Sequence, residues 1–187
     1  MVTMTAPLTT ADMLALPENG TERWLIAGEL RERPMTVRNR FHSRTLVCTS
    51  TELENWNRRL PPPRGQVLGG EAGVRLTRNP DSTVGIDIVY VSPEVIVQQT
   101  DATTLIDGAP ILAVEILSPN DTLEDIHEKI DTFLAAGVAL IWIIDPYDRT
   151  VRVYRPGTQP AFFNALDELT GDPHLPGFRV PVARLFE

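Results

Sequence analysis

The stretch "ILAVEILSPND", Ile111–Asp121, places one carboxylate, that of Glu115, inside an otherwise apolar run. The run is apolar on both faces and ends at a Ser-Pro turn, which is typical of a strand buried within a sheet. An ionised carboxylate without a partner is costly there, so it is protonated, paired with a cation or bound to a metal. The stretch therefore predicts a core strand with a chemically unusual position at Glu115.

A second core strand is interrupted in the same way. The segment "TVGIDIVYV" is β-branched and aromatic, and it carries Asp87 between Ile86 and Ile88. If the two strands are neighbours, Asp87 and Glu115 lie close enough to share a divalent cation, and Mg²⁺ prefers such hard oxygen ligands. The alternative is structural, with each acid near a strand end and hydrogen-bonded or solvated.

The segment "NDTLEDIHEKIDTFLAAGV" predicts the clearest helix in the chain. Asn120 or Asp121 is expected to cap its start, with Asp121 and Glu124 as a capping box, and Gly137 is expected to end it.

Lys129 is the only lysine among the 17 basic residues of the chain. It lies at the edge of the helix's apolar stripe, beside Ile126 and Phe133, so its stem can follow apolar surface while the ammonium emerges at the strand end. The alternative is an ordinary helix-boundary lysine paired with Asp125.

The composition is that of a globular protein, with 187 residues, 42% hydrophobic and 22% charged. We expect a single domain over residues 1–187, with residues 1–9 as a flexible tail. No apolar run is long enough to span a membrane, the start does not resemble a signal peptide, and Cys48 is the only cysteine. These features indicate a cytoplasmic protein without a membrane partner.

The charge distribution gives a mixed indication about nucleic acid. The net charge of −8 disfavours non-specific binding through the whole surface. A local basic run nevertheless occurs, which is either a solvated face or a stripe that contacts phosphates; its members are Arg31, Arg33, Arg38, Arg40 and Arg44.

The order of predicted elements indicates an α/β fold, a mixed β-sheet flanked by α-helices. A hydrolase with a covalent nucleophile fits the sequence poorly. No histidine is placed so as to indicate a catalytic pair with Cys48, and no G-x-S-x-G motif is present.

Several segments in a fixed order resemble the Uma2 family, which is assigned to the restriction-endonuclease-like PD-(D/E)xK fold. The longest is "PILAVEILSPNDTLEDIHEKIDTFLAAGVALIWIIDPYDRTVRVYRPG", and "GEL", "DIVYVSPE" and "LPGFRVPVARLF" accompany it. The resemblance covers roughly residues 10–187. Two positions depart from the pattern: Ile86 replaces the proline before the aspartate, and Ala27 replaces an acid before the "GEL" glycine. The literal "PD" at Pro80–Asp81 is interpreted as a loop sequence that only mimics the motif.

The resemblance implies a metal-dependent endonuclease. Asp87 and Glu115, with the backbone carbonyl of Ile116, would hold Mg²⁺ or Mn²⁺. Lys129 would be the catalytic lysine, moved onto the helix from the strand position occupied here by Leu117, and Glu29 would orient it or bind a second ion. Candidate contacts to the nucleic-acid backbone are Arg38, Arg40, Arg44 and His42, although a structural role for His42 is equally open.

The expected activity is hydrolysis of phosphodiester bonds in DNA, and a homodimer would suit double-strand cleavage. The alternative is a non-catalytic nucleic-acid-binding or regulatory protein that retains the nuclease fold, a reading favoured by the acidic net charge.

Overall fold

A computed structural model describes residues 6–35, 37, 39–100 and 104–187. Over these residues, the structure has four α-helices and eleven strands. The helices are α1 (Thr10–Leu14), α2 (Arg40–Arg59), α3 (Pro93–Ile96) and α4 (Leu123–Ala135). The strands are β1 (Thr21–Ile26), β2 (Glu29–Pro34), β3 (Gln66–Thr77), β4 (Ser82–Val91), β5 (Ile106–Asp107), β6 (Leu112–Ile116), β7 (Leu140–Asp145), β8 (Thr150–Tyr154), β9 (Ala161–Phe163), β10 (Glu168–Thr170) and β11 (Arg179–Pro181). A 3₁₀ turn, Val182–Leu185, closes the chain.

One mixed sheet contains nine of the strands found in the described residues, and it confirms the predicted fold class. Its main path runs β2-β1-β4-β6-β7-β8-β9, while β3 pairs with the other side of β4 and with β5. Strands β6 and β7 are parallel and are joined through α4, as the sequence pattern of strand, helix and strand requires.

Strand β4 changes neighbours along its length, and this opens a fork in the sheet. On the side away from β3, it pairs with β1 at Thr83 and with β6 from Ile88 onward. Asp87 is the residue just before the paired stretch, and Glu115 is the residue just after the corresponding stretch of β6. The two predicted acids therefore lie at the same fork.

The start of α4 differs from the prediction. Its N-cap is Thr122, whose hydroxyl accepts a hydrogen bond from the Asp125 N–H at 3.1 Å. Asp121 instead accepts from the Ser118 N–H at 2.7 Å, which stabilises the turn after β6. The predicted cap at Asn120 or Asp121 and the Asp121–Glu124 capping box are therefore wrong.

The end of α4 is as predicted. Gly137 has a φ of 90°, a left-handed conformation that glycine adopts without a steric penalty. Its N–H donates to the Leu134 carbonyl, and the Val138 N–H donates to that of Phe133, so the last carbonyls of the helix are satisfied.

Helix α2 begins at Arg40. The Asn39 side chain caps it by accepting from the N–H groups of Phe41 and His42. The helix ends at Arg59. Leu60 is extended, because the first proline of the run at residues 61–63 disfavours a helical conformation in the residue before it.

The sheet separates two hydrophobic clusters. On one face, Leu53 and Trp56 of α2 pack with residues of β4, β6, β7 and β8 and with the C-terminal strands. On the other face, Ile130 and Phe133 of α4 pack with Ala113 and its neighbours. Glu115 is two residues after Ala113, so it is expected on the α4 face of the sheet.

At the N-terminus, the Leu8 N–H donates to the Gly28 carbonyl, and Thr9 caps α1. Among the residues that the structure describes, no helix combines the length and the apolar character that crossing a bilayer demands.

Candidate active site at the fork of the sheet

Asp87 is buried at the fork and is held by two other elements. Its side chain is 4% exposed, and Oδ2 accepts a hydrogen bond from the Ile116 N–H of β6 at 2.8 Å. His42 Nε2 of α2 lies 3.2 Å from the same carboxylate. The carboxylate thus joins β4, β6 and α2 at one point.

Glu115 and Lys129 form a close ion pair beneath α4. Lys129 Nζ lies 2.7 Å from Glu115 Oε2, and their side chains are 20% and 11% exposed. Lys129 therefore contacts the predicted acid rather than Asp125, and its ammonium faces the protein instead of bulk solvent.

Burial and neighbouring charge set the protonation of this site. Burial raises the pKa of Glu115 to about 7, and the charge of Asp87 adds to this, although Lys129 acts in the opposite direction. Burial disfavours the charged form of Lys129, but Glu115 outweighs it and raises the pKa of the lysine. Burial likewise acts to raise the pKa of Asp87, but His42 and the Ile116 N–H outweigh it and lower that pKa.

A small cavity of about 20 Å³ adjoins the Glu115–Lys129 pair. A volume of this size holds about one water molecule. The cavity is also lined by Ile116, Arg33 and Asp121, so it connects the buried pair to the β1–β2 hairpin and to the turn after β6.

A hard divalent cation fits the two acids. Within the described residues, Asp87 Oδ1 and Glu115 Oε1 are buried and have no hydrogen-bond partner. Buried polar atoms are rarely left so, and a water or an ion is the usual partner of such an atom. Over the same residues, no group of three or more His, Cys, Asp and Glu side chains is arranged to hold a metal. Two carboxylates, completed by backbone carbonyl and water oxygens, are a donor set that suits Mg²⁺ or Mn²⁺.

The other predicted site residues lie farther out. Glu29 is exposed on β2 and pairs with Arg31, which in turn pairs with Glu128 of α4 at 2.9 Å. Arg40 and Arg44 are on the exposed face of α2, where Arg44 donates to the Glu187 carbonyl. Arg38 lies outside the described residues.

His42 has a different position from the one predicted with the arginines. It is 2% exposed, and its Nε2 contacts the Asp87 carboxylate. The sequence does not signal this contact, because it joins residues 45 positions apart.

Arg33 is a further residue of the cleft that the sequence placed only in a general basic run. It lines the small cavity beside Glu115 and Lys129. Its guanidinium is fixed by Glu22 at 2.7 and 3.1 Å and lies 5.5 Å from the Trp24 ring centre.

A larger cavity of about 440 Å³ lies elsewhere, between α1, the hairpin and the start of β4. None of the three buried acids of the described residues lines it. The chemistry of the fork, rather than cavity size, identifies the candidate site.

Comparison with known proteins supports the fold. A crystal structure titled "a putative nuclease belonging to DUF820", from Anabaena variabilis ATCC 29413, matches with a TM-score of 0.77. It is 22% identical over 96% of this chain and 98% of that chain, so the likeness shows a shared fold. No curated protein matched this chain.

The family model described as "Putative restriction endonuclease" matches residues 10–183, which include every element from α1 to β11. Asp87, Glu115 and Lys129 all fall within the match. The chain therefore belongs to the Uma2 family.

Proposed function

We propose that this chain is a metal-dependent endonuclease that hydrolyses phosphodiester bonds of DNA. One observation carries the proposal: two buried carboxylates meet at the fork, each with an oxygen that lacks a hydrogen-bond partner, and the only lysine of the chain contacts one of them. The family match supports a nuclease in general terms. The metal, the type of nucleic acid and the residue roles are our inference.

Asp87 and Glu115 would supply the protein ligands for Mg²⁺ or Mn²⁺, and the Ile116 carbonyl is a further candidate. When bound, such an ion lowers the pKa of a water molecule and neutralises charge on the scissile phosphate. Asp87 is preorganised for this role, because the Ile116 N–H donates to its Oδ2 and His42 Nε2 lies 3.2 Å from both of its oxygens, while Oδ1 has no hydrogen-bond partner in the described residues.

Lys129 has two roles in this proposal. Its ammonium holds Glu115 Oε2 at 2.7 Å, so it fixes the orientation of the ligand. It also lines a cavity large enough for one water molecule, where its remaining N–H groups can orient the attacking water or stabilise charge on the phosphate oxygens.

Surface residues would position the substrate. Arg40 and Arg44, together with Arg38, are proposed contacts to backbone phosphates, which add affinity rather than sequence selectivity. Glu29 is proposed to act through Arg31 and Glu128, since this chain of ion pairs ends on α4 one residue before Lys129.

The chief alternative is a nucleic-acid-binding or regulatory protein without catalysis. Two observations favour it: the net charge of −8, and the pairing of Glu115 with Lys129, which occupies one of its two oxygens. A protein of this kind would bind DNA without metal-dependent cleavage. Because the chain has a single cysteine, we propose that the protein acts in the cytoplasm. A homodimer is a further proposal, testable by its mass in solution.

The test is cleavage of plasmid and single-stranded DNA by the purified protein with Mg²⁺, with Mn²⁺ and with EDTA. We expect cleavage that requires metal and falls at least about 100-fold in Glu115→Gln and in Lys129→Met. Asp131→Asn, an exposed acid on α4, is the matched control and should cleave as the unchanged protein does.

Cleavage that persists unchanged in both Glu115→Gln and Lys129→Met would come from a contaminating nuclease and would contradict the proposal. DNA binding without any metal-dependent cleavage would support the non-catalytic alternative.

A further inference from the structure

Two exposed aromatic rings lie together at the start of α2. Phe41 is 42% and Tyr147 is 47% exposed, and their ring centres are 5.5 Å apart with an angle of 60° between the planes. Single exposed apolar side chains are common on protein surfaces. Two large rings in mutual contact, both open to solvent, leave flat apolar surface available to a ligand.

A cation adjoins the rings. The Arg40 guanidinium lies 4.4 Å from the centre of the Phe41 ring, a distance at which a cation is attracted to the ring face. Arg44 is four residues further along α2, so it lies on the same side of the helix. Its described hydrogen bond is to the main-chain oxygen of Glu187. We call Arg40, Phe41 and Tyr147 the aromatic platform.

Hydrogen bonds hold the platform in place. Asn39 Nδ2 donates to Tyr147 Oη at 2.9 Å, while Asn39 Oδ1 caps the helix that carries Phe41. The Tyr147 N–H donates to Asp145 Oδ1 at 2.9 Å, which fixes the turn after β7. A ligand that stacks on the platform therefore meets rings that are already ordered, which lowers the entropy cost of binding.

The platform lies at the same end of the sheet as the acids. Tyr147 comes two residues after β7, whose last residues pair with the end of β6 just beyond Glu115. Phe41 is adjacent in sequence to His42, which contacts Asp87 at 3.2 Å. The platform is thus linked to Asp87 through His42, which follows Phe41 in α2 and contacts the Asp87 carboxylate.

We propose that the aromatic platform stacks unpaired bases of single-stranded DNA and thereby presents the adjoining phosphate to the Asp87–Glu115 site. This inference rests on the proposed function and names its substrate class. Bases in a duplex are already stacked on one another, so exposed protein rings favour single strands, and stacking tolerates any base. The neighbouring arginines complement the charge of the backbone, which favours nucleic acid over an apolar protein partner.

The test is binding of a fluorescent 12-nucleotide oligodeoxythymidine and of a blunt duplex of equal length, both measured by anisotropy in EDTA. We expect tighter binding of the single strand. Phe41→Leu and Tyr147→Leu, which keep an apolar side chain but remove the ring, should each weaken single-strand binding about 5- to 100-fold. Phe41→Trp should restore it, and Phe162→Leu, an exposed aromatic on β9, is the matched control that should bind unchanged.

Single-strand binding that is unaffected by both leucine variants, or equal affinity for the duplex, would overturn the inference. If this face binds a protein partner instead, both leucine variants should leave single-strand binding unaffected. Because the assay contains no metal, its outcome is independent of the proposed catalysis. Cleavage that depends on Glu115 with no role for the rings would refute the platform alone, whereas ring-dependent binding without cleavage would refute the nuclease proposal alone.

Discussion

Two buried aspartates, Asp81 in the turn before β4 and Asp87 on β4, show the difference between a structural acid and a candidate catalytic one. Asp81 is 8% exposed, and its Oδ2 accepts from the Thr10 N–H at 2.8 Å and from the Thr10 hydroxyl at 2.6 Å. Its Oδ1 accepts from the Asn79 N–H at 3.4 Å. Both oxygens are therefore satisfied by the fold itself.

Asp87, six residues later, is more deeply buried but less completely satisfied. Its Oδ2 accepts the Ile116 N–H, and His42 Nε2 lies 3.2 Å from both oxygens, but Oδ1 has no hydrogen bond from any residue of the described chain. Glu115 repeats this pattern with Oε2 bound to Lys129 and Oε1 without a partner. Burial of a carboxylate is thus a weak sign of function, whereas a buried carboxylate oxygen without a hydrogen bond within the protein can accept one from water or bind a cation.

The largest difference between the two aspartates is expected in activity. Asp87→Asn should lower metal-dependent DNA cleavage at least about 100-fold, because a metal ligand that stabilises the transition state contributes several kcal/mol. Asp81→Asn should cleave within a few-fold of the unchanged protein. Initial cleavage rates at saturating Mn²⁺ measure both, and equal losses in the two variants would remove the distinction.

The same two substitutions should affect the free energy of unfolding in the opposite order, with the larger loss in Asp81→Asn. An asparagine at position 81 has one acceptor oxygen for donors on both sides, so Asp81→Asn should lose about 1–3 kcal/mol in the free energy of unfolding. At position 87, the amide oxygen can keep the Ile116 hydrogen bond and the His42 contact, while the NH₂ group replaces the oxygen that has no hydrogen bond. Asp87→Asn should therefore change stability by less than about 1 kcal/mol, as measured by urea denaturation in EDTA. A larger loss in Asp87→Asn than in Asp81→Asn would contradict this account.

The pH dependence of stability should reveal the buried Glu115. Its pKa is about 7 in the folded chain, against an ordinary value of 4.5. Between these values the unfolded chain ionises while the folded chain stays protonated, so this residue makes stability fall as pH rises from 4.5 to 7. As pH rises across that window, Glu115→Gln should gain stability relative to the unchanged protein, by about 3 kcal/mol at most. Urea titrations in EDTA at several pH values test this, and a difference that does not vary with pH would refute it.

The smallest effect is expected at a partly exposed cluster in which Asp107 pairs with two arginines. Arg75 and Arg78 lower the pKa of Asp107 from 3.8 to about 2, so the stability it contributes is present above pH 3.8 and is lost as pH falls through 2. Because solvent screens this cluster, Asp107→Asn should cost less than about 1 kcal/mol at pH 7. Thermal unfolding at pH 7 and at pH 2.5 measures it, and a greater loss at the lower pH would be inconsistent with the stated pKa.

The sequence alone was sufficient to predict those site residues that interrupt a regular pattern. Asp87 and Glu115 stand out because each is a charge in an apolar strand, and Lys129 stands out as the only lysine. The fold class followed from the order of strands and helices. The interpretation of Pro80–Asp81 as a loop sequence is confirmed, since Asp81 lies in the turn between β3 and β4.

Other features depend on tertiary contacts that leave no local trace. His42 reaches Asp87 only because the first turn of α2 lies over the fork, and Asp81 is buried only because Thr10 packs on the turn. The cap of α4 was misplaced for a related reason: Asn120, Asp121 and Thr122 are all good capping residues, and the turn after β6 decides which one is used.

The most direct test of the account is a calorimetric titration of Mn²⁺ into the protein at pH 8. The account predicts binding of Mn²⁺ that is abolished by Asp87→Asn and by Glu115→Gln but retained by Asp81→Asn. Failure to bind Mn²⁺, or binding that survives in Asp87→Asn and is lost in Asp81→Asn, would contradict it.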